Sequence, residues 1–506
     1  MISKSEIRHY MQFEPKFDTM MCSMKAAPKI PAAMIGETKK AVALARKFNE
    51  KVVKPYASDL DIEMQKNPDD LPWDFIEKAN EWGFYTMWIP KIFGGKGYNG
   101  SSFTCFLEEI ASTCLAMANL IGIHYLGVVS LLSSWNIRLS NRILNQVRDG
   151  EDTGQPCLIS MAITEPGAGT DVEETNLVDR GNVTCHAEKT DGGYRINGSK
   201  IFISGGHLST WHITIGYTDL CKPSETHVMF AVKTGTEGFS FGRMERKMGQ
   251  KGCPASELVF KDCFIPDNLV CFDSKQVANQ KRNSAETAMQ VIDYLFSVSR
   301  AAVGAFGVGA ARGAFTEALN FSSKTEVDNR LLINHEWVQC LLAEMYSNIY
   351  TARLTYNETN YANGLYGMFK ILQAKPVYYF LKFIPDIFIK KCISPIIDKQ
   401  FTIWLLRKLM FDRQTDEQIH CTSGWASLAK FAGTDAGMKN AQLALEIMGQ
   451  AGLRHSGKAE KILRDAKLLQ IYEGTNKLNR LNLFKCHISS GKPEITIFNE
   501  DGGHRQ

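Results

Sequence analysis

The sequence predicts an α+β multidomain protein in which helices, then strands, then helices follow one another along 506 residues. Two observations carry this. Apolar residues recur at helical spacing before about residue 155 and after about residue 274, and between them short period-two runs alternate with turn residues. Because helices and strands are segregated rather than alternating, a βαβ sheet is not expected. The division that follows is an N-terminal α-helical domain at 1–155, a middle β-barrel or sandwich domain at 156–274, a C-terminal helical bundle at 275–490, and a flexible tail at 491–506. The length suits three or four structural units.

In the first region, Ala41 to Ala45 form an apolar stretch with polar flanks, and Asp74-Phe75-Ile76 open a further helix. Residues 103–135 are apolar with few breakers, as in buried helices. Pro90 and the glycines of Phe93-Gly94-Gly95-Lys96-Gly97 mark a loop between them. In the middle region Ile213, Ile215 and Tyr217 alternate with Thr214 and Gly216, His227 to Val232 reads as a strand, and Asp191-Gly192-Gly193 and Asn197-Gly198 are hairpin turn signals. Residues 285–320, 333–363 and 415–490 return to helix-forming composition. Gly307-Val308-Gly309-Ala310-Ala311-Arg312-Gly313 resembles a dinucleotide fingerprint, but no strand precedes it, so close packing of helices through small residues is expected instead.

Composition is that of an ordinary globular chain, with 44% hydrophobic and 22% charged residues. A net charge of +4, from 58 basic and 54 acidic residues, gives no argument for nucleic acid. No uninterrupted apolar run approaches the roughly 18–20 residues that span a bilayer. The 13 cysteines lie scattered from Cys22 to Cys486 without a CxxC pair, which points to reduced thiols in a cytosol-like compartment and to no metal site. The N-terminal stretch lacks the apolar core of a secretory signal and carries Glu6 and Glu14, against a transit peptide. The expected location is cytoplasmic, extending to peripheral contact at the inner face of the membrane, with the mitochondrial matrix the less favoured alternative.

Three segments carry chemistry. Met161 to Asp171 run from a strand into a glycine-containing loop whose amides and hydroxyls can cradle a phosphate or the polar edge of a planar cofactor; an ordinary turn has the same composition. Ile196 to Gly206 form a hairpin in which Phe202 and Ser204, two apart, should face one side, offering a ring to stack on and a hydroxyl beside it. A cross-strand packing pair would look alike. Leu463 to Thr475 place Glu473 directly before Gly474 at a helix end, where the chain can turn sharply toward a cleft.

Taken in order, these segments resemble the acyl-CoA dehydrogenase family of FAD-dependent flavoenzymes. The resemblance spans about residues 36–486, interrupted near 364–413, and is carried by ITEPGAGTD, INGSKIFIS, KMGQKG with LVFKDCFIP, and LRDAKLLQIYEGT. It implies an N-terminal helical domain, a middle β domain and a C-terminal four-helix bundle, here with an inserted helical segment. It also implies FAD between the β domain and the C-terminal helices, partly at a subunit interface of a homotetramer or homodimer. On this resemblance Met161, Ile163 and Thr164 approach the flavin ring, and Gly169 and Thr170 match the phosphate-facing turn. Phe202 stands where a tryptophan usually covers the ring, and Ser204 holds the hydroxyl position beside flavin N5. Glu446, Gly449 and Gln450 match the segment that reaches a neighbouring subunit's cofactor, and Thr475 and Lys477 match further cofactor contacts. Arg300 and Gly474 belong to the active-site loop region; Arg300 is equally readable as one half of a helix-to-loop ion pair.

Glu473 matches the family's catalytic base. The implied reaction is α,β-dehydrogenation of an acyl-CoA thioester to the 2-enoyl-CoA, with electrons passed to an electron-transferring flavoprotein. A thioester α-proton is a weak acid, so its removal needs hydrogen bonds on the carbonyl oxygen, from the Glu473 amide and a cofactor hydroxyl, and a carboxylate whose pKa is brought closer to its task by burial. Two alternatives share the fold: an acyl-CoA oxidase using O₂, and a non-catalytic membrane-associated assembly protein. Retention of Glu473 argues against the second.

The sequence departs from the family pattern at several positions. Thr325 and Asp328 stand where an arginine and a phenylalanine usually hold the cofactor pyrophosphate, with Lys324 or Arg330 as substitutes. Ser297 replaces an acidic residue, and Lys477 replaces a glutamine. The acyl group is expected along the apolar segment Leu115–Trp135, where linear, branched, cyclic and aromatic chains all fit and where core packing explains the same residues.

Residues 364–413 have no counterpart in the family core. They hold nine Lys/Arg against three Asp/Glu, leaving 49 basic and 51 acidic residues for the rest of the chain, and ten of the 50 are aromatic. Pro376, Pro385 and Pro395 divide the stretch into short pieces. Amphipathic helices of this composition can lie in a membrane interface; an insertion folded onto its own subunit, or over a subunit interface, is the alternative.

Overall fold

The computed structural model describes residues 2–10, 20–277, 281–397, 399–455, 457–489, 492, 494, 495, 497 and 498. Most of the tail expected at 491–506 therefore lies outside the described residues. The helices that shape the N-terminal region are α1 (Ala33–Phe48), α2 (Lys54–Lys66), α3 (Trp73–Glu81), α4 (Gly100–Ala111), α5 (Leu115–Ser133) and α6 (Ile137–Thr153). Asn99 caps α4 by accepting from the Ser102 amide, and Asn136 caps α6 by accepting from the Leu139 amide. Phe48, Phe75, Phe84 and Phe106 form an edge-to-face aromatic core beneath these helices.

The strands are β1 (Ile159–Ala162), β2 (His186–Thr190), β3 (Gly193–Ser204), β4 (Trp211–Tyr217), β5 (His227–Lys233), β6 (Phe239–Met244), β7 (Ala255–Pro266) and β8 (Val270–Asp273). They form one eight-stranded sheet of order β6-β7-β3-β2-β4-β5-β8, with β1 added in parallel to β4. Lys200 on β3 is fully buried and pairs with Glu165, just beyond β1, at 2.7 Å. Glu165 also accepts from the Thr184 and Cys185 amides, so one ion pair ties three segments together.

The C-terminal region begins with α7 (Ser284–Ser322), followed by the hairpin β9 (Glu326–Val327) and β10 (Arg330–Leu331), then α8 (Glu336–Leu365). After residues 366–374 come α9 (Lys375–Phe383) and α10 (Gln400–Arg407), then α11 (Asp416–Met448), α12 (Ala459–Leu469) and α13 (Asn476–Leu483). Capping boxes start α7, at Asn283 with Glu286, and α11, at Thr415 with Gln418. The glycine-rich stretch of α7 is a packing device, as its helical context suggested. A Cβ on Gly307 would collide with the Gly433 carbonyl of α11, and one on Gly433 with that of Gly304.

By length and composition α5 (mean hydropathy 1.8) and α7 (1.4) are apolar enough to cross a membrane, yet 78% and 100% of their apolar windows are buried within the protein. All 13 cysteines are free thiols. The 364–413 stretch folds against its own chain at several points. Tyr378 of α9 lies against Glu37 of α1, the Ser394 hydroxyl donates to the Ile92 carbonyl, and Phe411 packs edge-on against Tyr294 of α7. Its other face is outward: Phe383 is 74% exposed and Phe401 69%.

Candidate active site

Where α12 ends, the chain reverses through two consecutive left-handed residues, Glu473 (φ 56°) and Gly474 (φ 73°). Glycine adopts this conformation at no steric cost; glutamate does not, and is held there by its surroundings. Arg300 on α7 donates to the Glu473 carbonyl at 3.4 Å, and Asn479 on α13 donates to the same oxygen at 3.2 Å. Lys430 on α11 donates to the Gly474 carbonyl at 2.7 Å, and the Gly474 amide donates to the Glu173 carboxylate at 2.8 Å. Four elements thus clamp two residues.

The side chain of Glu473 is fixed as well. Ser299, one residue before Arg300, donates its hydroxyl to Glu473 Oε2 at 2.7 Å. Burial, then the Glu173 carboxylate, pushes the Glu473 carboxyl up to about 7, while Ser299, Arg300 and Lys430 pull the other way. Glu173 itself is raised by burial, against the pull of Arg300 and Lys430. Lys430 is lowered to about 7, chiefly by burial. Arg300 closes the cluster through its 3.3 Å ion pair with Glu173. The arginine is therefore both a helix-to-loop ion pair and a support of the Glu473 turn.

Glu473 opens on a cavity of about 130 Å³ between α5, α7 and the sheet. Met161, Ile163, Thr164, Phe202 and Ser204 all line it together with Glu473. The route to that arrangement differs from simple strand alternation. Phe202 has φ 58° and sits in a register irregularity between Lys200 and Ile203. The bulge turns its ring outward, 53% exposed, while Ser204 remains on the cavity wall.

The other candidate residues lie apart from this cavity. Gly169 leaves open space where a Cβ would project, and Thr170 begins the short turn that carries Glu173. Thr475 caps α13 by accepting from the Leu478 amide, and Lys477 is exposed on its first turn. Glu446, Gly449 and Gln450 are exposed at the end of α11. Thr325 and Asp328 belong to the β9–β10 hairpin. Asp328 (φ 52°) and Asn329 (φ 60°) make its two-residue left-handed turn, a backbone that Asp and Asn tolerate and a phenylalanine would resist. Arg330 in this hairpin is exposed and hydrogen-bonds through its guanidinium to the His335 ring nitrogens. Ser297 points away from the site, to Tyr294 and Asn363.

Sequence reading passed over Glu173, Ser299, Lys430 and Asn479. Glu173 follows the ITEPGAGTD segment by two residues, and Ser299 adjoins Arg300, so adjacency was the available signal. Lys430 and Asn479 carry no motif. The KMGQKG segment acts as a brace: Gln250 accepts from Asn119 of α5, donates to the Asp465 carbonyl of α12 and contacts the Tyr472 hydroxyl.

A half-buried carboxylate raised to about 7 shares an apolar cavity with an exposed aromatic ring and two hydroxyls, an arrangement that suits an enzyme with a planar cofactor. Comparison with known proteins places it. The acyl-CoA dehydrogenase N-terminal domain model matches residues 36–151, the middle domain model 160–263, and the C-terminal domain model 289–363 and 406–485. The chain belongs to the acyl-CoA dehydrogenase family, and its cofactor is FAD. It is 27% identical over 405 residues to a cyclohex-1-ene-1-carbonyl-CoA dehydrogenase of Syntrophus aciditrophicus, covering 79% of this chain and 78% of that one. It is 25% identical over 443 residues to a 3-(aryl)acrylate reductase of Clostridium sporogenes, covering 87% and 95%. Among solved structures, butyryl-CoA dehydrogenase of Megasphaera elsdenii matches with a TM-score of 0.67 at 22% identity, covering 89% of this chain and 97% of that one. The C-terminal match omits 364–405, within the stretch that sequence reading set apart.

The residues present fit FAD. An outward aromatic ring suits a flat heterocycle, the Thr164 and Ser204 hydroxyls suit its polar edge, and Met161 and Ile163 supply an apolar wall.

Proposed function

We propose that this protein catalyses α,β-dehydrogenation of an acyl-CoA thioester to the 2-enoyl-CoA and passes the electrons to an electron-transferring flavoprotein. The observation that carries this is Glu473: a carboxylate raised to about 7, aimed into an apolar cavity and clamped on both its backbone and its side chain. A base poised near the working pH combines a usable ionised fraction with driving force for proton transfer. Glu473 removes the α-proton; the electron pair left on carbon is stabilised by the carbonyl and becomes the Cα=Cβ bond as the β-hydrogen leaves with its own pair. The Glu473 amide has no protein acceptor among the described residues, so it is available to the thioester oxygen as charge develops there. Bound FAD supplies the acceptor for the β-hydrogen and its electron pair. Arg300 and Lys430 offset the negative charge shared by Glu173 and Glu473, which keeps the base from binding its proton too tightly.

Met161, Ile163, Thr164, Phe202 and Ser204 would hold the flavin ring, with Gly169, Thr170, Thr475 and Lys477 as further contacts and Arg330 as the cation toward the pyrophosphate. The exposed Glu446, Gly449 and Gln450 would complete the site in a neighbouring subunit of a homotetramer or homodimer. The outward aromatic face of 364–413, in a stretch with nine basic against three acidic residues, suits an anionic bilayer, so the enzyme would work at the inner face of a cytoplasmic membrane.

The test is to add butyryl-, hexanoyl-, palmitoyl- and benzylic acyl-CoAs anaerobically to the purified flavoprotein and follow loss of flavin absorbance. Reoxidation by an electron-transferring flavoprotein is then timed against reoxidation by O₂. Bleaching followed by faster reoxidation with the flavoprotein supports the reading. Rapid reoxidation by O₂ assigns an oxidase, and absence of bleaching with every thioester refutes the activity.

A further inference from the structure

A second cavity, of about 180 Å³, adjoins the one that Glu473 lines, and the two share Phe103, Tyr125, Val129 and Val298 as lining residues. The second cavity is bounded on the body side by the 88–100 loop and by α5, and on the far side by residues that the family model leaves unmatched: Met368, Phe369, Leu372 and Leu381. It is large enough for an apolar group, since an enclosed apolar cavity of about 150 Å³ accepts benzene.

The far wall is fastened to the body. Glu37 of α1 accepts from the Asn99 amide at 2.9 Å and receives the Tyr378 hydroxyl at 3.5 Å, and Lys382 donates to the same hydroxyl at 3.2 Å. Phe369 lies so close over Gly100 that a Cβ there would collide with its ring. The short helix α9 thus has two sides. Tyr378, Leu381 and Lys382 face the cavity, while Phe380 and Phe383 face outward.

We infer that the inserted segment builds a second, apolar chamber of the acyl pocket, which takes the distal carbons of a long acyl chain whose thioester end lies at Glu473. This rests on the dehydrogenase reading and narrows its substrate class to long, apolar acyl groups. Phe103, Tyr125, Val129 and Val298 form the waist between the chambers. A chain of a few carbons fills only the inner chamber; a longer one passes the waist and exchanges water for the outer wall, at roughly 0.8 kcal/mol per buried methylene.

The test uses the full-length flavoprotein and two probes. Steady-state kcat/KM is measured for butyryl-CoA and palmitoyl-CoA in wild type, Leu372→Trp and Leu381→Trp. Separately, palmitoyl-CoA bearing a photoreactive diazirine at its terminal carbon is crosslinked and the labelled peptides are sequenced. The expected result is a palmitoyl-to-butyryl ratio of kcat/KM at least tenfold lower in the tryptophan variants, with labelling within 368–382. An unchanged ratio in folded variants, or labelling confined to segments that do not line the second cavity, overturns the chamber. A wild type that oxidises butyryl-CoA but not palmitoyl-CoA also overturns it while leaving the dehydrogenase reading intact. A wild type that oxidises neither defeats that reading, and the crosslink then decides the chamber alone. Should the tryptophan variants fail to fold, Met368→Ala and the crosslink carry the test.

Discussion

Ser299 donates its hydroxyl to Glu473 Oε2 at 2.7 Å, and the next residue along α7, Arg300, donates to the Glu473 backbone carbonyl at 3.4 Å. One turn of one helix thereby sets both the rotamer and the backbone of the base, and sequence alone would not pair residues 174 positions apart.

The first prediction concerns pH. A base must be ionised to act, so kcat/KM should rise from acid pH to a plateau with its limb near pH 7. Ser299 holds the ionised form through its hydrogen bond, so Ser299→Ala should move the limb to higher pH by about half to one unit. A pH profile of kcat/KM for both proteins checks this; an unmoved limb removes Ser299 from the account.

Glu173 acts in the opposite direction. Its negative charge raises Glu473. Glu173→Gln should therefore shift the acid limb to lower pH, while kcat falls because Gly474 loses its charged acceptor and Arg300 its partner. A purely structural role would lower kcat without moving the limb.

Stability follows the same linkage. Glu473 has a folded-state pKa above its ordinary 4.5, so its contribution to stability is fully present below about pH 4.5 and is lost as pH rises through about 7. Glu473→Gln lacks that loss. Its Tm should exceed that of wild type at pH 8, and the gap should narrow toward pH 5. Thermal denaturation at the two pH values measures it.

Away from the cavity, the buried Lys200–Glu165 pair holds β3 to the end of β1. Lys200→Met should destabilise the protein by about 3–5 kcal/mol, since it strands a buried carboxylate. Denaturant unfolding checks the value. A loss below about 1 kcal/mol would mean that the pair does not hold β3 to the end of β1.

The proposed bilayer contact also has a direct reading. Wild type should co-float with anionic vesicles and not with neutral ones, and Lys399→Glu with Lys408→Glu should release it. Equal flotation of the charge-reversed protein would assign the outward face of 364–413 to something other than lipid.

How far the sequence revealed this depends on the scale of the interaction. The Glu473–Gly474 reversal was legible because a glycine after a carboxylate at a helix end is a local signal. The helix–strand–helix order was legible because periodicity is local too. Glu173 and Lys430 were not, because they reach Gly474 from 301 and 44 positions away through packing alone. Strand alternation placed Phe202 and Ser204 together for a reason the bulge at Phe202 replaces. The inserted stretch was legible as foreign in composition, but composition describes only its outward face. The inner face, with Leu372 and Leu381 against the second chamber, emerges only once α9 is docked on α1.

The central claim is that Glu473 is the base that takes the substrate's α-proton. Anaerobic stopped-flow mixing of wild type and Glu473→Gln with an acyl-CoA that wild type oxidises tests it most directly. Wild type should bleach its flavin, and the variant should do so at a rate lower by about 10²–10⁴-fold with FAD still bound. Bleaching of Glu473→Gln at the wild-type rate would contradict it.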